Sequence, residues 1–313
     1  MTIRVIWGYK GGEYDERIAE IYSLCNCIYY SPDACRLVNS EYIRRIWYEA
    51  TWFKPDEHFL LFLQDKLVGY SYAWVVDNAL RINACIDPTL PDTLKEDLFR
   101  TIIRESMEKK KGEYKYPIIT IHAGREFSEL HQLIRKIVSP IRETITSQLM
   151  KLCIDELERY VEKKKPPDIK LVESNGVKHA DIITEIFNNA FSVYDWFIEW
   201  NPEDTRRWYT QQKLTVFIAF NEKGEPIGFS DISIRKNYYG ETIGYIETLA
   251  VKKEYQKKGY GTALLYQAVK KLLEKRIEKI YLDAIYDVAI YYYKRGFKPL
   301  YRYIRAQFVQ QNV

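Results

Sequence analysis

Tyr245-Ile246-Glu247-Thr248-Leu249-Ala250-Val251 and, four residues on, Gln256-Lys257-Lys258-Gly259-Tyr260-Gly261-Thr262-Ala263 decide how this chain of 313 residues reads. The β-branched and aromatic run Thr242 to Val251 predicts a strand. Apolar residues at Leu264, Leu265, Ala268, Val269, Leu272 and Leu273 recur at the spacing of one helical face. Gly259 and Gly261, in the loop between, let backbone N–H groups face a ligand without a Cβ in the way. The loop opens onto a helix N-terminus, whose unpaired amides and positive dipole end attract an anion. With four lysines between Lys252 and Lys258, the segment predicts a cradle for a pyrophosphate group.

Working outward, Lys279 to Ile285 predicts a strand, Val288 to Lys294 a short helix closed by Gly296, and Pro299 to Val309 a last strand. Upstream, Ile169 to Glu173 reads as a strand and Val177 to Phe191 and Pro202 to Gln212 as helices. Thr215 to Phe220 and Pro226 to Arg235 read as strands joined by the turn Asn221-Glu222-Lys223-Gly224. Hairpins followed by a βαβ crossover predict a mixed α/β sheet carrying helices. The double proline in Lys163-Lys164-Lys165-Pro166-Pro167-Asp168 cannot continue a helix, which places a domain boundary between residues 1–164 and 165–313. The first half repeats part of this order: strands Phe59 to Gln64, Leu67 to Val76 and Leu80 to Ile86, helix Thr93 to Lys109, strand Pro117 to His122 and helix Phe127 to Ile137. Thr144 to Ile154 fits a closing strand or a helix. Two copies of one fold in tandem are expected.

A composition of 47% hydrophobic and 29% charged residues excludes a disordered or fibrous chain. No apolar run nears the ~18 residues of a membrane span, and residues 1–9 lack a signal-peptide layout, so a cytoplasmic protein without a membrane partner is expected. The net charge of +4 is too small to imply nucleic acid. The charge is instead local, with nine bases against three acids between Lys252 and Lys279. Cys25, Cys27, Cys35, Cys85 and Cys153 have no His or second Cys pair at zinc spacing, so no metal is expected. They are expected as buried thiols, with a disulfide from Cys35 to Cys25 or Cys27 as the alternative.

The segment from Tyr245 to Val251, with Gln256 to Gly261, resembles the acyl-CoA-binding motif of the GNAT superfamily of N-acetyltransferases. Tyr292-Tyr293-Lys294-Arg295-Gly296-Phe297 is similar to that family's Tyr-x-Lys-x-Gly-Phe ending. The resemblance spans Ile169 to Val309 and implies a GNAT fold with acetyl-CoA as cosubstrate. It implies that the loop Gln256, Lys257, Lys258, Gly259, Tyr260 and Gly261, with Thr262 and Ala263, holds the CoA pyrophosphate. It implies that the main chain of Leu249, Ala250 and Val251 pairs with the pantetheine arm like an added strand, an amide near Leu249 or Ala250 polarising the thioester carbonyl. Where the family often has an Asn that contacts CoA, this sequence has Tyr286 and Asp287. Thioester aminolysis gains from a proton acceptor near the amine and a donor near sulfur. Glu247 stands where several members carry an acid and is the candidate acceptor; Tyr292 matches the tyrosine of the closing motif and is the candidate donor.

Substrate contacts are expected from Tyr194 to Trp200, where Asp195, Trp196 and Glu199, joined by Asp231 from a neighbouring strand, suit a cationic amine. In the first half, Asp87 to Asp97 has no glycine and four acids against one base. CoA is therefore expected on the second half only, the first half supporting the acceptor cleft. The expected activity is transfer of an acetyl group to a primary amine of a small molecule or peptide by direct attack on the thioester. Nα- or lysine acetylation of a protein, and a non-catalytic acyl-CoA-sensing module, are the alternatives. Aminoacyl transfer from tRNA fits poorly with an intact cradle.

Overall fold

The computed structural model describes residues 2–115, 118–167, 169–194 and 197–309. The first half opens with β1 (Ile3–Trp7), then α1 (Asp15–Cys25), which runs on into a π-helical turn (Asn26–Tyr30), and α2 (Ser40–Ile43). It continues through β2 (His58–Leu63), β3 (Lys66–Val76), β4 (Ala79–Ile86), α3 (Asp92–Lys109), β5 (Ile118–Arg125), α4 (Glu129–Val138), β6 (Arg142–Leu152) and α5 (Ile154–Lys163). The second half runs β7 (Lys170–Ser174), α6 (Ala180–Phe191), α7 (Pro202–Gln212), β8 (Thr215–Phe220), β9 (Pro226–Lys236), β10 (Thr242–Val251), α8 (Tyr260–Glu274), β11 (Ile280–Ile285), α9 (Ala289–Tyr293) and β12 (Phe297–Val309). The segment that fitted either strand or helix is strand β6.

All twelve strands form one mixed sheet in the order β1-β2-β3-β4-β5-β12-β6-β11-β10-β9-β8-β7. The sheet does not part at the double proline. β6 lies between β12 and β11, pairing Met150 with Leu282, while β12 pairs Ala306 with Ile121 and Phe308 with Ile119 of β5. Each half of the sequence thus lends its closing strand to the other half's sheet. Packing follows the same exchange: fully buried Phe308 joins the first-half core of Ile18, Phe59, Phe99 and Ile102. Met150 joins the second-half core under Leu264, Leu265, Ala268 and Leu272 of α8. Burying such a side chain stabilises by about 1.5–3 kcal/mol over leaving it exposed, so the exchanged strands anchor both cores. On the opposite face of the second half, Ile183 and Ile186 of α6 and Tyr209 of α7 cover Val216 and Phe229.

Each half contains one parallel pair that opens into a fork. β4 and β5 are paired at Leu80↔Ile119, Arg81↔Thr120 and Ile82↔Ile121, and then diverge. β10 and β11 are paired at Gly244↔Ile280, Tyr245↔Tyr281 and Ile246↔Leu282, and then diverge. In the first half, α1 and the turn after it cross the fork: the Tyr29 carbonyl packs over Gly124 of β5, and Cys25 is disulfide-bonded to Cys85 of β4. A second disulfide joins Cys27 and Cys35, leaving Cys153 free. This corrects the expectation of buried thiols. Cys25 and Cys85 are separated by 60 positions, and only the docking of α1 on β4 brings them together. No described helix is long and apolar enough to cross a membrane.

Candidate active site

Beyond Ile246, residues 247–251 of β10 have no strand partner on the side facing β11. An unpaired strand edge is a ready partner for an extended ligand chain. β10 then leads into the loop and α8. Gly259 caps that helix at φ +92°, a left-handed conformation that a side chain would strain. Its carbonyl already accepts from the amides of Thr262 and Ala263. The amides of Lys257, Lys258, Gly259, Tyr260 and Gly261, by contrast, meet no acceptor among the described residues. The free donors are therefore the middle of the expected set: the Gln256 amide is taken by the Lys253 carbonyl, and Thr262 and Ala263 belong to the helix that holds the loop. The Gln256 side chain ties the loop to the Val251 carbonyl at 3.0 Å.

Below the loop, a Cβ on Gly261 would stand 2.9 Å from the Tyr291 hydroxyl, so only glycine fits without a shift. Arg295 lies 3.5 Å from the centre of the Tyr291 ring and donates to Thr262 Oγ1 and the Tyr291 carbonyl, locking the closing motif onto the start of α8. Tyr292 packs edge-on against Tyr291 and Phe297. Burial, and after it the neighbouring Tyr291 and Tyr194 phenols, push its pKa above the ordinary 10. Of the lysines, Lys252 is paired with Glu185 and Lys253 reaches Ser192, while Lys257 and Lys258 remain exposed beside the free amides.

The acceptor side differs from the sequence expectation. Glu247 is not a free carboxylate: Arg36 of the first half and Arg235 of β9 both pair with its Oε1, and Ser233 donates to the same atom. Burial raises its pKa, but the two guanidiniums and the serine outweigh burial and hold it below the usual range. This argues against Glu247 as the group that takes up a proton. Asp231 is fully buried and accepts from Tyr209 Oη at 2.6 Å, so it does not reach a cleft; burial pushes its pKa to about 7. Asp195 and Trp196 lie outside the described residues. Glu199 is exposed, while Trp200 is stacked on Phe187 at 4.6 Å and packs against Trp208, so these aromatics pack among themselves.

One acid here went unnoticed in the sequence. Asp283 is the first residue of β11 past the last parallel pair, as Glu247 is on β10. Strand alternation puts it on the face of Tyr281, away from the α8 core that holds Leu282 and Ala284. Solvent reaches Asp283, and desolvation by the protein around it raises its pKa against the opposing Tyr245 and Tyr303 phenols and Arg235. A lone acid within the apolar run Ile280 to Ile285 was the available signal.

The acetyltransferase (GNAT) family model matches residues 180–297. A tandem GNAT protein from the clavulanic acid biosynthesis pathway, solved without AcCoA, superposes over 99% of both chains with a TM-score of 0.65 at 13% identity. The chain has the tandem GNAT-superfamily fold. A Saccharomyces cerevisiae N-myristoyltransferase with bound myristoyl-CoA shares this GNAT-like arrangement over 98% of the present chain and 82% of its own, with a TM-score of 0.60 at 13% identity. So does a GCN5-related N-acetyltransferase from Sphaerobacter thermophilus, over 98% and 96%, with a TM-score of 0.54 at 13% identity. No curated protein matches the sequence. The GNAT fold supports acyl-CoA-dependent acyl transfer in general, and no group of His, Cys, Asp and Glu among the described residues is arranged to hold a metal ion.

Proposed function

We propose that this GNAT protein is an acetyl-CoA-dependent N-acetyltransferase that acylates a primary amine of a small molecule or peptide. The observation that carries the reading is the run of acceptor-free amides from Lys257 to Gly261 at the start of α8, directly after an unpaired strand edge. Those amides, with Lys257 and Lys258, suit a pyrophosphate. The main chain of Leu249 to Val251 suits the amide-bearing pantetheine arm. Tyr292, like any phenol, keeps its proton at neutral pH, and burial raises its pKa further. It therefore serves the departing sulfur as a hydrogen-bond donor rather than surrendering its proton in full. Residues 1–164 supply Arg36 to Glu247 and support the acceptor cleft, and residues 165–309 supply the described part of the CoA site.

Isothermal calorimetry with acetyl-CoA and with longer acyl-CoAs on the full chain, followed by mass spectrometry of amine products, tests the reading. Saturable acetyl-CoA binding and an acetylated amine are expected. Tyr292→Phe should lower kcat by about 10–100-fold, below the ~10²–10⁴-fold of full proton transfer, with little change in acetyl-CoA affinity. Absence of acyl-CoA binding to the intact protein would overturn the assignment.

A further inference from the structure

Building on the acyl-transfer reading, we propose that Asp283 receives the ammonium group of the acceptor and takes the proton that must leave before nitrogen can attack. Two carboxylates flank the apex of the second fork, Glu247 on β10 and Asp283 on β11, each one residue past the pair Ile246↔Leu282. Their surroundings divide the work between them. Glu247 Oε1 is shared by two guanidiniums and a serine hydroxyl. Asp283 has no ion pair among the described residues, and it is open to solvent while Tyr245 and Tyr303 beside it are buried. An accessible carboxylate that no ion pair holds favours a cationic partner. The groups facing it are Tyr245 and Glu247 from β10, Arg235 from β9 and Tyr303 from β12; β6 brings Leu149. Arg235 is committed to Glu247 and to the Ala34 carbonyl, which leaves Asp283 as the fork carboxylate able to accept a proton.

The chemistry balances with acyl-CoA as the only co-reactant. The ammonium gives one proton to Asp283, which releases it to solvent. The nitrogen lone pair then forms the N–C bond to the thioester carbon. The C–S bond breaks with its electron pair going to sulfur, and the second proton from nitrogen ends on that sulfur, giving amide and thiol.

The test compares wild type and Asp283→Asn with acetyl-CoA and three probe amines, spermidine, tyramine and an alanine tripeptide, from about pH 6 to about pH 10. Near neutral pH, Asp283→Asn should lose about 10²–10⁴-fold in kcat/KM, with the acetyl-CoA Kd unchanged. The deficit should shrink as pH rises, because solution then supplies the free amine. Unchanged kcat/KM, or a loss equal at every pH, overturns the proposal. Tyr303→Phe provides a second reading should the first variant not fold. Removing a donor from Asp283 should move the acidic limb of the pH profile upward, and a limb that stays in place also overturns it. Wild type that fails to bind acetyl-CoA refutes the acyl-transfer reading itself. Wild type that binds acetyl-CoA but acylates none of the probes refutes the Asp283 assignment and leaves the CoA site standing.

Discussion

β4 and β5 in the first half, and β10 and β11 in the second, part after the same number of parallel pairs, yet the two forks meet opposite fates. The first is crossed by α1 and its π-helical turn and sealed by the Cys25–Cys85 disulfide. Its following loop has Asp87 paired with Arg17, and buried Lys95 paired with Glu129 and Asp92, so polar groups there satisfy one another. The second fork is followed by amides that nothing in the described chain satisfies, and two carboxylates stand at its apex. The same backbone scaffold is structural where its polar groups are mutually satisfied, and offers a site where they are left for a ligand.

The largest expected effect concerns matched positions in β3 and β9, each 11 residues long. The sixth residue is Ser71 in one and Asp231 in the other, and both are fully buried. Ser71 donates to the Asn83 carbonyl, whereas Asp231 is a carboxylic acid whose pKa burial raises from 3.8 to about 7. A raised acid pKa destabilises the fold when the group ionises. The cost is absent below about pH 4, grows toward pH 7 and is constant above. Asp231→Asn should therefore gain stability over wild type as pH rises, with a ceiling of about 4 kcal/mol at about 1.4 kcal/mol per pKa unit. Urea unfolding at pH 4.5 and 8 would measure it; an equal difference at both would show that Asp231 does not titrate in this window. Next comes the seal. The double change Cys25→Ser and Cys85→Ser should cost about 2–4 kcal/mol in oxidising buffer while leaving the acetyl-CoA Kd alone. A weakened Kd would mean that the first fork bears on the cofactor after all. The smallest effect is expected at the open fork. Gly261→Val, crowding Tyr291, should weaken acetyl-CoA binding by about 10–100-fold, or about 1.4–2.7 kcal/mol. Thr89→Val in the loop after the first fork should leave binding unchanged.

The strand, glycine loop and amphipathic helix from Thr242 to Glu274 could be read from the sequence because they are contiguous, and each has a local signature. Most of the elements after residue 57 were legible for the same reason. Long-range pairing was not. Nothing in β6 or β12 announces that each joins the other half's sheet, since alternation specifies a face and not a neighbour. Glu247 looked like a free acid because its partner Arg36 lies 211 positions away. Asp231 looked accessible because it stands among the polar residues Ser230 and Ser233, while its buried partner Tyr209 lies on a separate helix.

The exchange of β6 and β12 also orders events in time. A chain made from its N-terminus can collapse α1, α3 and the first four strands early, but β5 stays a bare sheet edge until residues 297–309 have been synthesised. During translation that edge is exposed to any other extended segment, including β5 of a neighbouring nascent chain. Contacts such as Ile121 with Ala306 close loops of nearly two hundred residues, which slows the last step of folding. Completion of the first half thus waits for the synthesis of β12, and the interval before it is when this protein most needs protection from aggregation.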